Sequence, residues 1–331
     1  MKALVLKAKE HLTYKIDYPE PTSLKDREVL IKVKYCGICG SDLEAYQHGK
    51  VLMPIILGHE FAGDIVKLGP GVEGWAIGDR VTAYPSQFCG KCFYCQQGQE
   101  NLCKNIINGL GITINGALAE YVKIPANYIC KLPKELSYQE GAVVEPLSVG
   151  YHGVNLSGIQ PADTAVVLGA GTIGLSTIQA LKLRGIKEIY VIEPNAFNRN
   201  IALQLGAKEI IRPNRLNKIG PDFVFDCAGF PVTYKKDINI VRNGGTVVLL
   251  GIHFELTPIS FLQLITKEVN LKGSFGYTFQ EFKTIIKLLL QGKIHPESMI
   301  TKIVPLSNII KEGFQALLHP DRQAVKILAK I

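Results

Sequence analysis

The alternation of apolar and polar positions divides the chain into parts of different character. In the first third, short apolar or β-branched runs are separated by glycine, proline and aspartate. Runs of this length with turn residues between them are typical of strands joined by tight connections. The pattern predicts an all-β, barrel-like body. Strands are predicted at 3–6, 29–33, 61–66 and 80–83.

From about Pro161 onwards, apolar strands alternate with segments of helical periodicity. A buried strand at 164–168 precedes a helix at 174–183, and a strand at 189–193 precedes a helix at 198–205. This alternation predicts a parallel, doubly wound sheet, so the fold class is α/β. Further strands are predicted at 209–211, 223–226, 246–250 and 269–271.

The C-terminal part combines a helical pattern at 282–291 with a strand-like tail at 324–331. We assign this tail to the first domain, which makes the doubly wound unit an insertion. A length of 331 residues also favours two domains over one core. Only ten residues separate Arg212 from Phe223, fewer than a parallel crossover usually needs, so a turn is predicted there.

Composition restricts the classes of protein that fit. Apolar residues make up 47% and charged residues 20%, as in a globular protein. Neither a secretory signal nor an unbroken apolar span is found, so we expect a soluble, cytoplasmic protein without a membrane partner. The net charge is +8, but the lysines are scattered singly, which disfavours nucleic acid. Eight cysteines without a signal favour metal binding over disulfides.

The segment GAGTIG at 169–174 follows a predicted strand and opens a predicted helix. Gly169 permits the tight turn, Gly171 lets the backbone approach a pyrophosphate, and Gly174 allows close packing of helix and strand. Glu193 ends the next strand, where a carboxylate can accept hydrogen bonds from both ribose hydroxyls and repel a 2′-phosphate. The segment therefore predicts a dinucleotide site that prefers NAD to NADP.

Four cysteines are spaced C-x2-C-x2-C-x7-C in a loop rich in glycine, lysine and glutamine. Four thiolates complete a tetrahedral zinc shell without an open position, so this zinc would be structural. A redox pair and a nucleic-acid zinc ribbon are the alternatives, but a second cysteine knuckle and basic clusters are missing. The predicted ligands are Cys89, Cys92, Cys95 and Cys103.

A second metal site is predicted from the Gly58-His59-Glu60 stretch together with Cys39 and Glu145. Mixed sulfur, nitrogen and oxygen ligands suit a catalytic zinc, which keeps one position open for water or substrate. Cys39 also ends a C-x-x-C motif, which in other contexts is a redox pair. No thioredoxin-like context surrounds it, so we interpret Cys36 as a packed thiol at the end of a strand.

These motifs resemble, over the whole chain, those of the zinc-containing medium-chain alcohol and polyol dehydrogenases. The segments that carry the resemblance are CGICGSD at 36–42, GHEFAG at 58–63, EPLSVG at 145–150, the four-cysteine lobe and the glycine fingerprint. The resemblance implies a GroES-like catalytic domain of residues 1–150 and 278–331. It places the structural zinc lobe at about 85–108 and a Rossmann NAD-binding domain at 151–277.

The resemblance also implies two zinc ions per chain, NAD, a small alcohol or ketone substrate, and a homodimer or homotetramer. In the polyol and butanediol branch, Cys39, His59 and Glu60 hold the catalytic zinc and Glu145 is a further ligand or holds its water. Asp42 would orient His59. Two alternatives stay open: Asp42 caps a turn, and Glu60 or Glu145 pairs with a lysine.

The expected reaction moves a hydride between a secondary alcohol, such as a diol or polyol of the 2,3-butanediol type, and NAD. Ser41 would take the proton. Relatives carry a relay histidine where this chain has Glu44, so Glu44, His48 or Ser41 with the ribose remain alternative routes. Relatives also carry an arginine where this chain has Asn198. The predicted cofactor contacts are Gly169, Gly171, Ile173, Gly174, Glu193 and Arg199.

The sequence leaves other functions open. Threonine 3-dehydrogenase and a sugar-phosphate dehydrogenase, such as one for galactitol 1-phosphate, are the alternative enzymes. A zinc-ribbon nucleic-acid-binding protein is the alternative from another class, based on the four cysteines and the net charge of +8. A zinc-free reductase of the same fold is a further alternative.

Overall fold

The structure, a computed structural model, describes residues 1–106, 108–212, 215, 219–252 and 257–331, without the side chains of residues 235 and 236. The chain folds into two compact units. Unit 1 comprises Met1–Glu145, Thr278–Gly292 and Ile300–Ile331, and unit 2 comprises Pro146–Tyr277 and Lys293–Met299.

The strands of both units are numbered here in chain order. They are β1 (Ala3–Ala8), β2 (His11–Lys15), β3 (Glu28–Gly37), β4 (Ile55–Ile56), β5 (Glu60–Leu68), β6 (Arg80–Ala83), β7 (Ser86–Gln87), β8 (Asn108–Gly109), β9 (Tyr121–Pro125), β10 (Ile129–Lys131), β11 (Thr164–Leu168), β12 (Glu188–Ile192), β13 (Glu209–Ile210), β14 (Phe223–Asp226), β15 (Thr246–Leu249), β16 (Asn270–Gly273), β17 (Ile300–Pro305) and β18 (Lys326–Lys330).

The α-helices are numbered in the same way. They are α1 (Gly40–His48), α2 (Phe93–Gln96), α3 (Tyr138–Ala142), α4 (Val144–Ser157), α5 (Thr172–Leu183), α6 (Ala196–Gln204), α7 (Pro231–Ile240), α8 (Phe261–Lys267), α9 (Phe279–Leu290) and α10 (Ala316–Leu318). Short 3-10 turns cover Glu100–Leu102, Ala126–Tyr128 and Leu306–Asn308, and a π-helix covers Ile310–Gln315. Among these described helices, none is long and apolar enough to cross a membrane.

Unit 1 is built on a seven-stranded sheet in the order β10-β6-β5-β3-β18-β17, with β9 also paired to β3. Smaller sheets, β2-β1-β4 and β7-β8, complete its described β structure. The C-terminal strand β18 pairs antiparallel with β3, with Leu328 opposite Gly37. The end of the chain therefore lies in the sheet that carries the first candidate site residues.

The helix α9 shows how sequence determines local structure in unit 1. Its N-terminus is closed by a capping box, in which the Thr278 side chain accepts from the Glu281 N–H and Glu281 accepts from the Thr278 N–H. Phe282, Ile285 and Leu289 are buried along one face, at the spacing of an amphipathic helix.

Unit 2 contains a six-stranded parallel sheet in the order β13-β12-β11-β14-β15-β16. In sequence order this is 3-2-1-4-5-6, the order of a doubly wound dinucleotide-binding sheet. The strand order reverses between β11 and β14, and ligands of such sheets bind beyond the strand ends at this point. Val166, Val224 and Val247, from three adjacent strands, are fully buried in the core of this sheet.

The predicted strands of this sheet are confirmed, and the predicted helices of both units differ systematically at their starts. The helices predicted from 174, 198 and 282 begin at Thr172, Ala196 and Phe279. Apolar periodicity identifies the buried face, whereas the first turn is set by the capping residues Gly171, Asn195 and Thr278. The turn predicted between Arg212 and Phe223 falls largely outside the described residues.

Candidate active site

Two paired strands of unit 1 bring three ligand-type side chains together. β3 and β5 run antiparallel with Gly37 opposite Glu60, so Cys39, just beyond β3, lies near His59, just before β5. The potential ligand atoms of Cys39, His59 and Glu60 all lie within 4.8 Å of one another. His59 and Glu60 are buried and Cys39 is partly buried. Strand pairing therefore assembles the residues that the sequence singled out.

The His59 ring is oriented by two different neighbours. Its Nδ1 is buried without a hydrogen-bond partner among the described residues and lies 3.9 Å from Asp42 Oδ1. The hydrogen bond between His59 and Cys39 must therefore use the other ring nitrogen, Nε2. Burial lowers the pKa of His59, but the charges of Cys39 and Asp42 outweigh it and raise this pKa well above its usual value. The negative charges around His59 thus favour a positive charge at this site.

Asp42 accepts hydrogen bonds from two backbone segments next to the His59 ring. Its Oδ2 accepts from the Cys39 N–H at 2.9 Å and its Oδ1 accepts from the Gly58 N–H at 3.1 Å. The first of these bonds caps the start of α1. Asp42 is therefore a helix cap and a close neighbour of His59 at the same time, and it ties the Cys39 segment to the His59 segment.

Lys326 adds a buried positive charge to this cluster. The sequence motifs did not identify this residue. Its Nζ on β18 donates to Glu60 Oε1 at 2.7 Å, to Glu60 Oε2 at 2.6 Å and to the Ile38 carbonyl at 2.7 Å. Burial lowers the pKa of Lys326, and the charge of Glu60 more than compensates and raises it. Glu60 thus pairs with a lysine, which was one of the two alternatives, while it remains within reach of Cys39 and His59.

Glu145 acts electrostatically on the same cluster. It lies in the first turn of α4 and is partly buried. Its charge contributes to the raised pKa of both His59 and Lys326. Among the described residues, the compact ligand group contains Cys39, His59 and Glu60 without Glu145.

The residues proposed for proton movement lie on α1. Ser41 is exposed in its first turn. Glu44 and His48 form an i,i+4 pair on this helix, with Oε2 of Glu44 and Nε2 of His48 3.6 Å apart. Both side chains are about half exposed, so the pair has direct access to solvent.

The redox interpretation of the C-x-x-C motif is not supported by the surroundings of its first cysteine. Cys36 is fully buried in β3. Burial raises the pKa of its thiol well above the usual value, which disfavours the reactive thiolate.

The four-cysteine lobe has the dimensions of a metal shell. The Sγ atoms of Cys92 and Cys95 are 3.5 Å apart, those of Cys92 and Cys103 3.8 Å, and those of Cys103 and Cys89 3.5 Å. A zinc–sulfur bond of about 2.3 Å in a tetrahedron requires sulfur–sulfur edges of about 3.8 Å. Backbone hydrogen bonds, chiefly from Lys91, lower the pKa of the Cys89 thiol to about 6. These residues fit a structural zinc.

In unit 2, the glycine loop has the backbone of a phosphate-binding turn. Gly169 adopts a φ of +86°, and Gly171 is the residue that precedes α5. A Cβ on Gly174 would lie 1.9 Å from the Gly169 carbonyl oxygen, so only glycine permits this contact between loop and helix. Ile173 lies in the first turn of α5. The first-turn N–H groups of this helix are available to an anionic ligand.

Glu193 lies directly beside this loop and orders it. Its Oε2 accepts from the Ala170 N–H at 2.6 Å, and its Oε1 accepts from the Asn195 N–H at 2.8 Å. Arg199 donates to the Glu193 and Pro194 carbonyls at 3.2 and 2.7 Å. Asn198 is buried, and neither atom of its amide has a hydrogen-bond partner among the described residues.

Comparison with known proteins identifies the domain families of both parts of the chain. Residues 25–134 match the alcohol dehydrogenase GroES-like domain, and residues 172–291 match the zinc-binding dehydrogenase domain. The (R,R)-butanediol dehydrogenase of Bacillus subtilis (strain 168) is 33% identical over 96% of this chain and 96% of its own length. The predicted α/β fold, with a GroES-like domain and a Rossmann domain, is therefore confirmed.

Two solved structures carry nicotinamide cofactors. A zinc-binding dehydrogenase from Sinorhizobium meliloti 1021, bound to NADP, has 33% identity and a TM-score of 0.89 and covers 100% of this chain and 99% of its own. An alcohol dehydrogenase described as short chain, from Escherichia coli CFT073 and in complex with NADH, has 28% identity, a TM-score of 0.91 and the same coverage.

The residues of the Cys39, His59 and Glu60 group are of the types that bind a catalytic zinc. When bound in such a site, zinc supplies Lewis acidity that lowers the pKa of a coordinated alcohol. The fold, the two donor sets and the similarity over nearly the full length agree. The chain belongs to the zinc-type alcohol dehydrogenase family, whose cofactors are zinc and a nicotinamide dinucleotide.

Proposed function

We propose that the chain oxidises a secondary hydroxyl of a diol or polyol to a ketone, with NAD as the hydride acceptor, and catalyses the reverse reduction. The observation that carries this proposal is the buried group of Cys39, His59 and Glu60, with the charge of Glu145 acting on it. A site with one sulfur, one nitrogen and carboxylate oxygens suits a catalytic zinc with an open position. The relative from Bacillus subtilis, named for butanediol, supports the substrate class.

The roles of the individual residues follow from their positions. Cys39, His59 and Glu60 would hold the catalytic zinc, which would supply Lewis acidity there, and Glu145 would act as a further ligand or hold a water molecule. The hydroxyl proton passes to Ser41. Glu44 and His48, which form a solvent-exposed pair on the same helix, then release it to water. The carboxylate and imidazole of this pair replace the single relay histidine of relatives.

A substrate panel tests the reaction. Zinc-loaded enzyme is mixed with NAD and 2,3-butanediol, sorbitol, threonine or galactitol 1-phosphate, and NADH formation is followed by absorbance. We expect oxidation of the diol or of the unphosphorylated polyol. Activity only with threonine or the sugar phosphate would refute the substrate class but keep the hydride chemistry. Absence of any NADH-linked activity, with salt-sensitive retention on DNA, would favour the zinc-ribbon alternative.

The proton route has its own test. Glu44→Gln, which keeps the shape but not the basicity, should lower kcat and shift its pH profile, whereas Glu10→Gln on the exposed turn after β1 serves as the matched control. If Glu44→Gln matches the wild type at every pH while Ser41→Ala is impaired, the proton leaves through Ser41 without the Glu44 pair.

We propose a homodimer or homotetramer as the assembly. Phe261, Leu262 and Ile265 on α8 are 74%, 71% and 72% exposed, and a cluster of large apolar side chains rarely remains in water. The adjacent strand β16 ends the described sheet, so one of its edges lacks a strand partner there. Light scattering should show a monomer for the Phe261→Ser/Ile265→Ser double variant, and an unchanged oligomer would refute this interface.

The compartment that we propose is the cytoplasm. The four thiols of the zinc lobe and the other cysteines are free in the structure. Thiolate ligands of this kind are maintained in reducing compartments. Loss of free thiols from the purified protein at the redox potential of the cytosolic glutathione pool would contradict this assignment.

A further inference from the structure

Two carboxyl groups of unit 2 are buried within hydrogen-bonding reach of each other, whereas the residues of both candidate zinc sites belong to unit 1. Asp226 ends β14 and Asp237 lies on α7, and their residues are 0% and 1% exposed. Asp226 Oδ1 accepts from the backbone N–H groups of Ala228 at 2.9 Å and Gly229 at 3.0 Å. Among the described residues, no N–H or hydroxyl donor reaches Asp226 Oδ2 or either oxygen of Asp237.

Two ionised carboxylates in this position would be costly. Buried charges require a counter-ion or hydrogen-bond donors, and no cation pairs with either group within the part of the chain that the structure describes. A proton on one of them removes one charge and creates the missing donor, because the O–H of one carboxyl donates to the other. Burial, followed by the charge of Asp226 and a hydrogen bond to it, raises the pKa of Asp237 to about 9.

We propose that Asp226 and Asp237 share one proton at neutral pH, and that this hydrogen bond fixes the turn at 227–230 on which the cofactor loop rests. Asp237 is then a positioning residue, which acts on the dinucleotide through Asp226 and touches neither cofactor nor substrate. The inference rests on the dinucleotide site of the proposed function and adds to it a residue that no glycine fingerprint identifies.

The turn at 227–230 lies between two loops at the carboxyl edge of the sheet. Asp226 is the register partner of Leu168, which immediately precedes Gly169 of the cofactor loop. A Cβ on Gly169 would lie 3.0 Å from the Cβ of Ala228, so the loop and the turn are in direct contact. A displacement of this turn by a few tenths of an ångström would therefore reach the phosphate-binding backbone.

The same turn is held on its other side. The Asp226 carbonyl accepts from the Leu250 and Gly251 N–H groups at 2.8 and 2.9 Å. The Tyr234 hydroxyl, from α7, donates to the Gly251 carbonyl at 2.7 Å. Asp226 is thus the common support of both loops, and Asp237 is the group that satisfies its remaining oxygen.

Among the described groups around the pair, the thiol and the hydroxyl nearest to it do not change charge in the same range. Burial raises the pKa of the Cys227 thiol and of the Tyr234 hydroxyl to about 12 in each case. On the neighbouring helix α8, burial lowers the pKa of the Lys267 ammonium, which donates to the carbonyls of Ile238, Asn239 and Val241 at the end of α7. The loss of the shared proton near pH 9 leaves two adjacent negative charges, and Asp237→Asn, which retains Lys267, separates this charge change from a titration of that lysine.

Binding of ADP-ribose by the zinc-loaded enzyme tests the proposal, because this ligand carries the pyrophosphate and lacks the nicotinamide. The dissociation constant is measured from about pH 7 to about pH 10 for the wild type and for Asp237→Asn. The asparagine amide can donate to Asp226 but has no proton to lose. We expect the wild type to lose affinity about fivefold with a midpoint near 9, and Asp237→Asn to stay within about twofold of its value at neutral pH.

Two further variants make the outcome decisive. Asp237→Ala removes the donor, so its affinity should be low at every pH and independent of pH. Asp321→Asn, at an exposed position, should behave as the wild type does. An equal loss of affinity above pH 9 in the wild type and in Asp237→Asn would overturn the positioning role.

Difference infrared spectroscopy separates the two parts of the inference. A protonated carboxyl has a C=O stretching band that carboxylates lack, so the wild type should lose this band near pH 9 and Asp237→Asn should not show it. Absence of the band in the wild type would overturn the shared proton. Failure of the wild type to bind ADP-ribose at any pH would refute the dinucleotide site and with it the positioning role, while the band would still decide the shared proton.

Discussion

The buried pair of Lys326 and Glu60 makes a prediction that can be worked out from the structure. Replacing Lys326 by Met keeps most of the volume of the side chain and removes its charge. Both oxygens of Glu60 then lose their donor, and the Ile38 carbonyl loses one as well. The side chains are 2% and 0% exposed, so water does not replace the lost ammonium.

The magnitude follows from this burial. Removal of one partner from a buried ion pair costs about 3–5 kcal/mol, because it leaves an uncompensated charge. The pair of Lys302 and Glu312 is the matched control, since its atoms are 2.9 Å apart but its side chains are 42% and 39% exposed. Lys302→Met should cost less than about 1 kcal/mol, because solvent screens the exposed pair.

Urea unfolding measures the difference. Trp75, the single tryptophan, lies in unit 1 with both ion pairs and reports the unfolding of this unit. The measurement uses protein that carries about one zinc per chain, bound in the four-cysteine lobe, so that no metal competes with Lys326 for Glu60. Restored zinc should then reduce the destabilisation of Lys326→Met, since the cation offsets the charge of Glu60.

A double-mutant cycle completes the test. Glu60→Gln removes the buried charge, so Lys326→Met should cost much less in that background than in the wild type. Equal costs in both backgrounds would refute the reasoning. So would a Lys326→Met variant that unfolds at the same urea concentration as Lys302→Met.

Three further predictions concern the metal lobe, the cofactor preference and pH. Cys95→Ser should lower the zinc content by about one per chain in metal analysis and lower the melting temperature, because three thiolates do not fill the shell. Glu193→Ser should raise kcat/KM with NADP relative to NAD, since the carboxylate that repels a 2′-phosphate is removed, and an unchanged ratio would contradict its role. The pKa of Asp237 is about 9 in the folded protein, so the fold retains a proton that the unfolded chain releases near its usual pKa of about 4. Its contribution to stability therefore falls by about 1.4 kcal/mol per pH unit between about pH 4 and about pH 9, and melting curves of Asp237→Asn should lack this slope.

The predicted elements of unit 2 agree with the structure because its strands carry their information locally. The predicted strands at 164–168 and 223–226 coincide with β11 and β14, since short, mostly apolar runs follow aspartate at both places. Helix starts were predicted two or three residues late, because the first turn is polar and is determined by its cap. The helices α1, in unit 1, and α4, which begins at the end of unit 1 and continues into unit 2, were not predicted from the hydrophobic pattern, since neither has a pronounced apolar stripe.

The candidate active site likewise contains residues that the sequence identified and one that it did not. His59 and Glu60 are neighbours in the sequence, and Cys39 joins them through the pairing of β3 with β5, so spacing and ligand chemistry were enough to group them. Lys326 could not be found in this way. A lysine in a strand-like tail is usually solvated, and only the pairing of β18 with β3 places it beside Glu60.

The sequence by itself determined the features whose geometry is local. The glycine loop at 169–174 and the four cysteines each lie within a short segment, where backbone conformation and ligand spacing are properties of the residues themselves. The tertiary structure alone decided which charges meet in the interior. Lys326 and Glu60 are 266 positions apart, and Asp237 reaches Asp226 only because α7 packs on β14. Such pairs depend on strand order and helix docking, and in a medium without water their charges require a partner.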